Sequence, residues 1–321
     1  MLGLPYSPTP LLPEIANEWR DGLMWLKCAG SKNNSIWSQY MSIAVIFPGQ
    51  GSQSIGMGAE LFDKFPELCA AADAALGWSV KDLCLNGPKE KLDQTCYTQP
   101  CLYVVSALAW LDRVNSGAEA PAYLAGHSLG EYNALFAAGA FDFITGLKLV
   151  ARRGEIMFKV EGGGMAAVLG MSAEKVEEVM KSTGLASLDV ANFNSPLQTV
   201  ISGKKDEVIA AEPAFKAAAA KRYVVLPVSG AFHSREMSSS QEEFTTFARQ
   251  FVFNPPGTPV VANFTARPYD GKAILNSLCS QISGSVRWTE SVRWMHQQGV
   301  TEFVEVGPGK VLSGLVKQIT G

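Results

Sequence analysis

The segment Gly126-His127-Ser128-Leu129-Gly130 places a serine between two glycines, directly after the apolar run Tyr123-Leu124-Ala125 and directly before a helical pattern. A strand, this turn and a helix together lift a serine hydroxyl to the first turn of the helix, where it is exposed. The positive end of the helix and its free amides favour an oxyanion developing there. As a bare string GxSxG is an ordinary glycine-rich turn; its context makes Ser128 the candidate nucleophile. A serine hydroxyl attacks only when a base removes its proton. The chain has three histidines. His127 sits inside the turn, so its side chain is expected to diverge from that of Ser128. His296 lies in Arg293-Trp294-Met295-His296-Gln297, a stretch that reads as a helix surface. His233 follows the apolar run ending at Val228, in Ser229-Gly230-Ala231-Phe232-His233-Ser234, and loops after strands are where catalytic side chains collect. Elimination and placement select His233 as the base. An oxyanion also needs a donor beyond the amide that follows the nucleophile. The glycine-rich loop Pro48-Gly49-Gln50-Gly51-Ser52-Gln53 brings backbone close and offers the Gln50 amide. The same loop lacks the Gly-Lys-Ser/Thr ending or GxGxxG spacing of a phosphate cradle.

The elements that must position these groups alternate between strand and helix, which is the mark of an α/β chain. Ile43-Ala44-Val45-Ile46-Phe47 reads as the first strand, and the main domain is expected to begin at Met41. Residues 1–40 differ, with four prolines, a Ser-Lys-Asn-Asn-Ser run and an isolated amphipathic piece from Glu14 to Leu26; they read as an N-terminal extension or linker. A short helix is expected from Leu129 to Gly139 and a longer one from Asp142 to Val160, followed by a hinge at Gly162-Gly163-Gly164. Strands are expected over Met165–Leu169, Asp189–Phe193, Gln198–Ser202 and Arg222–Val228, with helices over Ala173–Lys181 and Asp206–Ala220. That β-α-β-β-α-β order predicts a small ferredoxin-like subdomain at 164–228, inserted into a larger α/β body formed by 41–163 and 229–321. A last strand is expected at Thr301–Val306.

Bulk properties narrow the function classes. The 321 residues are 47% hydrophobic and 18% charged, which supports a large core. The net charge of −3, with no basic run longer than a pair, argues against nucleic-acid binding. No apolar stretch reaches the ~18 residues of a membrane span, and the N-terminus lacks the layout of a secretory signal. Six cysteines without a CxxC pair and three scattered histidines give no metal-site pattern, so free thiols and a cytoplasmic location are expected.

Five motifs in order, FPGQGSQ at 47–53, GHSLGEY at 126–132, RGEIM at 153–157, GAFHS at 230–234 and VGPGKVL at 306–312, resemble one family over residues 41–320. It is the malonyl-CoA:acyl carrier protein transacylases, with the related acyltransferase domains of polyketide synthases. The resemblance implies an α/β-hydrolase-like large subdomain with an inserted ferredoxin-like small one. It implies an acyl-serine on Ser128, His233 as base, and backbone amides of Gln50 and Leu129 as the oxyanion hole. Arg153 would hold the free carboxylate of a malonyl group, for which an arginine fork provides two parallel charge-assisted bonds. Gln281 matches a position whose backbone carbonyl orients the histidine. Transfer from malonyl-CoA to the phosphopantetheine thiol of an acyl carrier protein would proceed by ping-pong, with no metal or redox cofactor.

The resemblance also carries departures. Phe232 is bulky, as in malonyl-selecting domains, and would crowd a 2-methyl substituent. The first residue of that four-residue pattern, commonly histidine, is Gly230 here. Gly230 and Asn133 look more like stand-alone acyltransferases of polyketide assembly lines than like fused modules. Three rival readings remain. A proofreading acyl hydrolase of the same family would be expected to lack Arg153. A generic esterase would need an acid between Ser128 and His233, for which Asp142 and Asp189 are available. A non-catalytic carrier-protein docking subunit would have no need of the serine, histidine and arginine set.

Overall fold

The strand β1 (Ser42–Phe47) is apolar and buried from Ile43 onward, as befits a parallel strand covered on both faces. It pairs in parallel with β2 (Tyr123–Gly126), in a register that sets Phe47 opposite Gly126. The carboxyl ends of the two strands therefore lie side by side. The computed structural model describes residues 42–270 and 274–321; the expected extension at 1–40 lies outside them.

A second sheet follows in the chain. Strands β3 (Gly163–Leu169), β4 (Asp189–Ser195), β5 (Gln198–Lys204) and β6 (Arg222–Val225) pair antiparallel throughout, in the order β4-β5-β3-β6. That is the ferredoxin-like order. The chain then returns to the first sheet with β7 (Val260–Val261) and β8 (Val300–Glu305), giving the parallel order β7-β2-β1-β8. The α/β expectation is met, in the form of one parallel and one antiparallel sheet.

Local chemistry explains where elements end. The helix Phe143–Phe158 is capped by Asp142, whose Oδ1 accepts from the Thr145 amide at 2.6 Å. The expected helix over Asp206–Ala220 is two helices, Lys205–Ala210 and Glu212–Ala217, because Pro213 has no N–H to continue the first. Strand β6 stops at Val225 rather than Val228, two residues before Pro227, which cannot donate to a ladder.

The Gly162–Gly164 segment is also not a free hinge. Gly163 and Gly164 lie within β3, and a Cβ on Gly163 would stand 2.1 Å from the Ala231 amide nitrogen. The missing side chain lets β3 press against the backbone of the loop that carries His233. Strand β4 is tied to the segment that precedes the helix Trp288–Gln297 by an isolated parallel bridge between Asn192 and Val286. None of the described helices is long and apolar enough to cross a membrane. Cys69, Cys84, Cys96, Cys101 and Cys279 are free thiols, and all but Cys96 are buried.

Candidate active site

Parallel pairing brings three loops to one edge: residues after β1 (Gln50), after β2 (Ser128) and after β7 (Asn263) all leave at the carboxyl ends, where α/β sheets collect their ligands. The turn at Ser128 is set by what its glycines lack. A Cβ on Gly126 would sit 1.9 Å from the Gly130 carbonyl carbon, and one on Gly130 would sit 2.1 Å from the Phe47 oxygen. Ser128 itself has φ 50°, a left-handed conformation that a non-glycine residue holds only when its surroundings enforce it. They do so on both sides. The Ser128 amide donates to Asn263 Oδ1 at 2.7 Å, Asn263 Nδ2 donates to the Gly126 carbonyl at 2.6 Å, and Gln281 Nε2 donates to the Ser128 carbonyl at 2.7 Å.

His233 meets Ser128 from the far side of the chain, with Nε2 2.8 Å from Ser128 Oγ. Its Nδ1 lies 2.7 Å from the Gln281 carbonyl oxygen and 3.2 Å from that of Gly284. Carbonyl oxygens only accept, so Nδ1 carries the proton and Nε2 is free to receive one from Ser128. Burial and, next, the Arg153 cation lower the His233 pKa to about 3, so the ring rests as a neutral base. Among the described residues, no acid of the kind an esterase triad would need bonds the ring. Asp142 caps a helix, and Asp189 pairs with Arg235.

Arg153 is 1% exposed on the inner face of Phe143–Phe158. Its Nη1 donates to Gln99 Oε1 at 2.8 Å, and its Nη2 donates to Gln281 Oε1 at 2.9 Å and Ser128 Oγ at 3.0 Å. The guanidinium carbon stands 5.6 Å from the centre of the Tyr132 ring. It makes no ion pair with a carboxylate among the described residues. Neighbouring Arg152, by contrast, is a surface residue paired with Glu155 and Glu243.

The remaining expected residues frame this set. A Cβ on Gly49 would stand 2.4 Å from the His127 oxygen, so the Gln50 loop lies directly against the turn. Gln50 Nε2 donates to Thr95 Oγ1 at 3.2 Å. Leu129 is buried at the start of the helix Gly130–Ala137, and neither its amide nor that of Gln50 has a protein acceptor among the described residues. Phe232 is buried beside His233, and a Cβ on Gly230 would meet its ring at 2.3 Å. The two positions are thus one packing unit: a side chain at 230 requires Phe232 to move. His127 turns away from Ser128, bonding Asn194 Oδ1 through Nε2 at 2.8 Å. A cleft of about 810 Å³ reaches His233 between β4 and residues 283–285, with Phe193 and Phe264 on its walls.

Residues 44–319 match the family model described as the acyl transferase domain. The chain belongs to the acyl transferase domain family. This acyl transferase is 50% identical over 278 residues to the polyketide biosynthesis malonyl CoA-acyl carrier protein transacylase PksC of Bacillus subtilis (strain 168), covering 86% of this chain and 96% of that protein. Among solved structures, the malonyl CoA-acyl carrier protein transacylase of Burkholderia pseudomallei superposes with a TM-score of 0.84 at 45% identity, covering 88% of this chain and 98% of that one. A malonyl-transacylase in complex with its type II polyketide synthase acyl-carrier protein gives a TM-score of 0.83 at 39% identity, covering 87% and 93%.

Three residues around the site of this acyl transferase, Gln99, Asn263 and Tyr269, lie outside every motif, and a fourth, Glu131, lies within GHSLGEY but is assigned no role there. Glu131 carries a signal in retrospect, as an acidic residue in the buried helix Gly130–Ala137. Asn263 follows a strand of only two residues, too short for a periodic pattern.

Proposed function

We propose that this acyl transferase moves a malonyl group from malonyl-CoA to the phosphopantetheine thiol of an acyl carrier protein through an acyl-serine on Ser128. The observation that carries the reading is Arg153, a buried cation 3.0 Å from the nucleophile with only neutral direct partners. A buried charge without a counter-ion is costly, and an acyl group bearing its own carboxylate supplies one. Malonyl has such a group; acetyl does not.

Ser128 Oγ attacks the thioester carbonyl as its proton passes to His233 Nε2. The Gln50 and Leu129 amides receive the oxyanion, and the Gln281 carbonyl holds Nδ1–H of the imidazolium. Coenzyme A leaves as the thiol, taking the proton back. The carrier thiol then attacks the acyl-serine, with His233 again as base. Phe232, packed on Gly230, limits bulk beside the malonyl C2. Residues 164–228 serve as a small subdomain against the body formed by 41–163 and 229–321, and the protein works in the cytoplasm. The similarity to PksC supports supply of a polyketide carrier.

Intact-protein mass spectrometry after brief exposure to malonyl-, methylmalonyl- and acetyl-CoA, with Ser128→Ala as control, tests the reading. A lasting malonyl adduct absent from the control is expected. Release as free acid without accumulation would point instead to a hydrolase, and no adduct at all to a docking subunit.

A further inference from the structure

We propose that the carboxylate of Glu131 is the positioning residue of the active site, holding nucleophile, base and arginine in register through Gln281 and Asn263. This deepens the proposed acyl transfer and rests on it for the roles of Ser128, His233 and Arg153.

Glu131 has no exposed surface and receives three donors. Its Oε1 accepts from the Asn263 amide at 3.1 Å and from the Tyr269 hydroxyl. Its Oε2 accepts from Gln281 Nε2 at 2.6 Å. The same Nε2 spends its other hydrogen on the Ser128 carbonyl at 2.7 Å, and Oε1 of Gln281 accepts from Arg153. Arg153 can only donate, so the amide has one possible orientation: oxygen toward the arginine, nitrogen toward Glu131. The main chain of Gln281 meanwhile holds His233 Nδ1. Asn263, the other residue tied to Glu131, clamps the strained peptide of Ser128 from both sides. One carboxylate thus reaches the nucleophile, the base and the carboxylate-binding cation, each at one remove, without touching any of the three directly.

An ionised carboxylate only accepts, which suits three donors. A proton on either oxygen faces a group that now donates, so one of the three bonds must be lost or reversed. Burial raises the Glu131 pKa to about 7, against the lowering effect of Tyr269, Gln281, the Asn263 amide and the Arg153 charge. Tyr132 on its own helix is a further titratable neighbour, and Cys279 lies near Tyr269. Each of these two neighbours is itself held neutral by burial, Tyr132 and Cys279 both being raised. His233 stays neutral far below this range, so its own protonation does not set an acid limb near neutrality. Activity should therefore fall as pH drops through about 7, with Glu131 as the group responsible.

The test follows kcat/KM for malonyl transfer, and the rate of Ser128 labelling by a fluorophosphonate, from pH 5.5 to 9 (a practical window of about three units around the Glu131 value). The full chain is used as wild type, Glu131→Gln and Tyr269→Phe. The expected wild-type limb lies near pH 7 in both readouts. Glu131→Gln should abolish that limb and lower the plateau about tenfold. Tyr269→Phe removes one donor to the carboxylate and should move the limb upward by about half a unit or more. An unchanged limb in Glu131→Gln overturns the inference. If that variant does not fold, an unmoved limb in Tyr269→Phe overturns it alone. Labelling that shows the shifted limbs while malonyl-CoA is not taken up would sink the proposed transfer and leave the role of Glu131 standing.

Discussion

The two flanks of Ser128 are built by opposite means. On the turn side, Gly49, Gly126 and Gly130 bring main chain into contact with main chain, and each leaves no room for a Cβ. On the acyl side, Arg153, Gln99, Gln281, Glu131 and Asn263 form a chain of hydrogen-bonded groups in which Arg153 Nε is left without a partner. The first flank is steric and nearly independent of charge. The second is electrostatic, and its geometry depends on protonation. The two flanks thus differ in what disturbs them, although they share Ser128: Asn263 and Gln281 of the second flank also hold its peptide, and Arg153 its Oγ.

The largest effect should come from Ser128→Ala, which removes the atom shared by both flanks. Transfer should drop about 10⁴-fold or more, read as loss of the acyl adduct. Gly126→Ala comes next and strikes only the steric flank. Its Cβ must displace the Gly130 backbone, so transfer of every acyl donor should collapse together, with a lower Tm. Arg153→Ala strikes only the electrostatic flank. Malonyl transfer should fall about 10²–10³-fold, in the range for truncating one partner of a buried charge pair. Acetyl transfer or hydrolysis should be spared or rise. Equal losses for malonyl and acetyl donors in that variant would erase the difference between the flanks.

A smaller effect concerns stability against pH. The His233 pKa is depressed to about 3 in the folded protein, so the unfolded chain binds more protons between 3 and 6.5 and stability falls as pH drops through that window. The Glu131 pKa is raised from 4.5 to about 7, so the folded protein binds more protons there and stability falls as pH rises. The two slopes oppose each other between 4.5 and 6.5. Removing the first with His233→Gln should unmask the second, seen as a Tm that declines from pH 4.5 to 7. The smallest effect is expected from Arg235→Ala. Its pair with Asp189 joins β4 to the segment after His233 but is largely solvent-exposed, and should be worth only about 0.2–1 kcal/mol in denaturant unfolding.

The sequence by itself determined the steric flank. Strand, glycine turn and helix are local patterns, and the Gly126–Gly130 contact lies within the turn itself, while the parallel pairing of β1 with β2 sets that turn against Phe47 and Gly49. The alternation of strands and helices likewise carried the α/β class and the β-α-β-β-α-β order of the second sheet. Where local reading slipped, at Pro213 and Pro227, the proline's missing N–H accounts for the difference. Arg153 was singled out only through resemblance, since an arginine beside Arg152 in a helix has no local mark of burial.

What the tertiary structure alone decided is the electrostatic flank. Arg153 and Gln281 are 128 positions apart, and Gln281 and Glu131 are 150. Glutamine, asparagine and tyrosine hold no pattern in sequence that separates a buried hydrogen-bonding role from a surface one. Only packing reveals that role, because withdrawal from water is what makes each unpaired donor or acceptor expensive and each pairing specific.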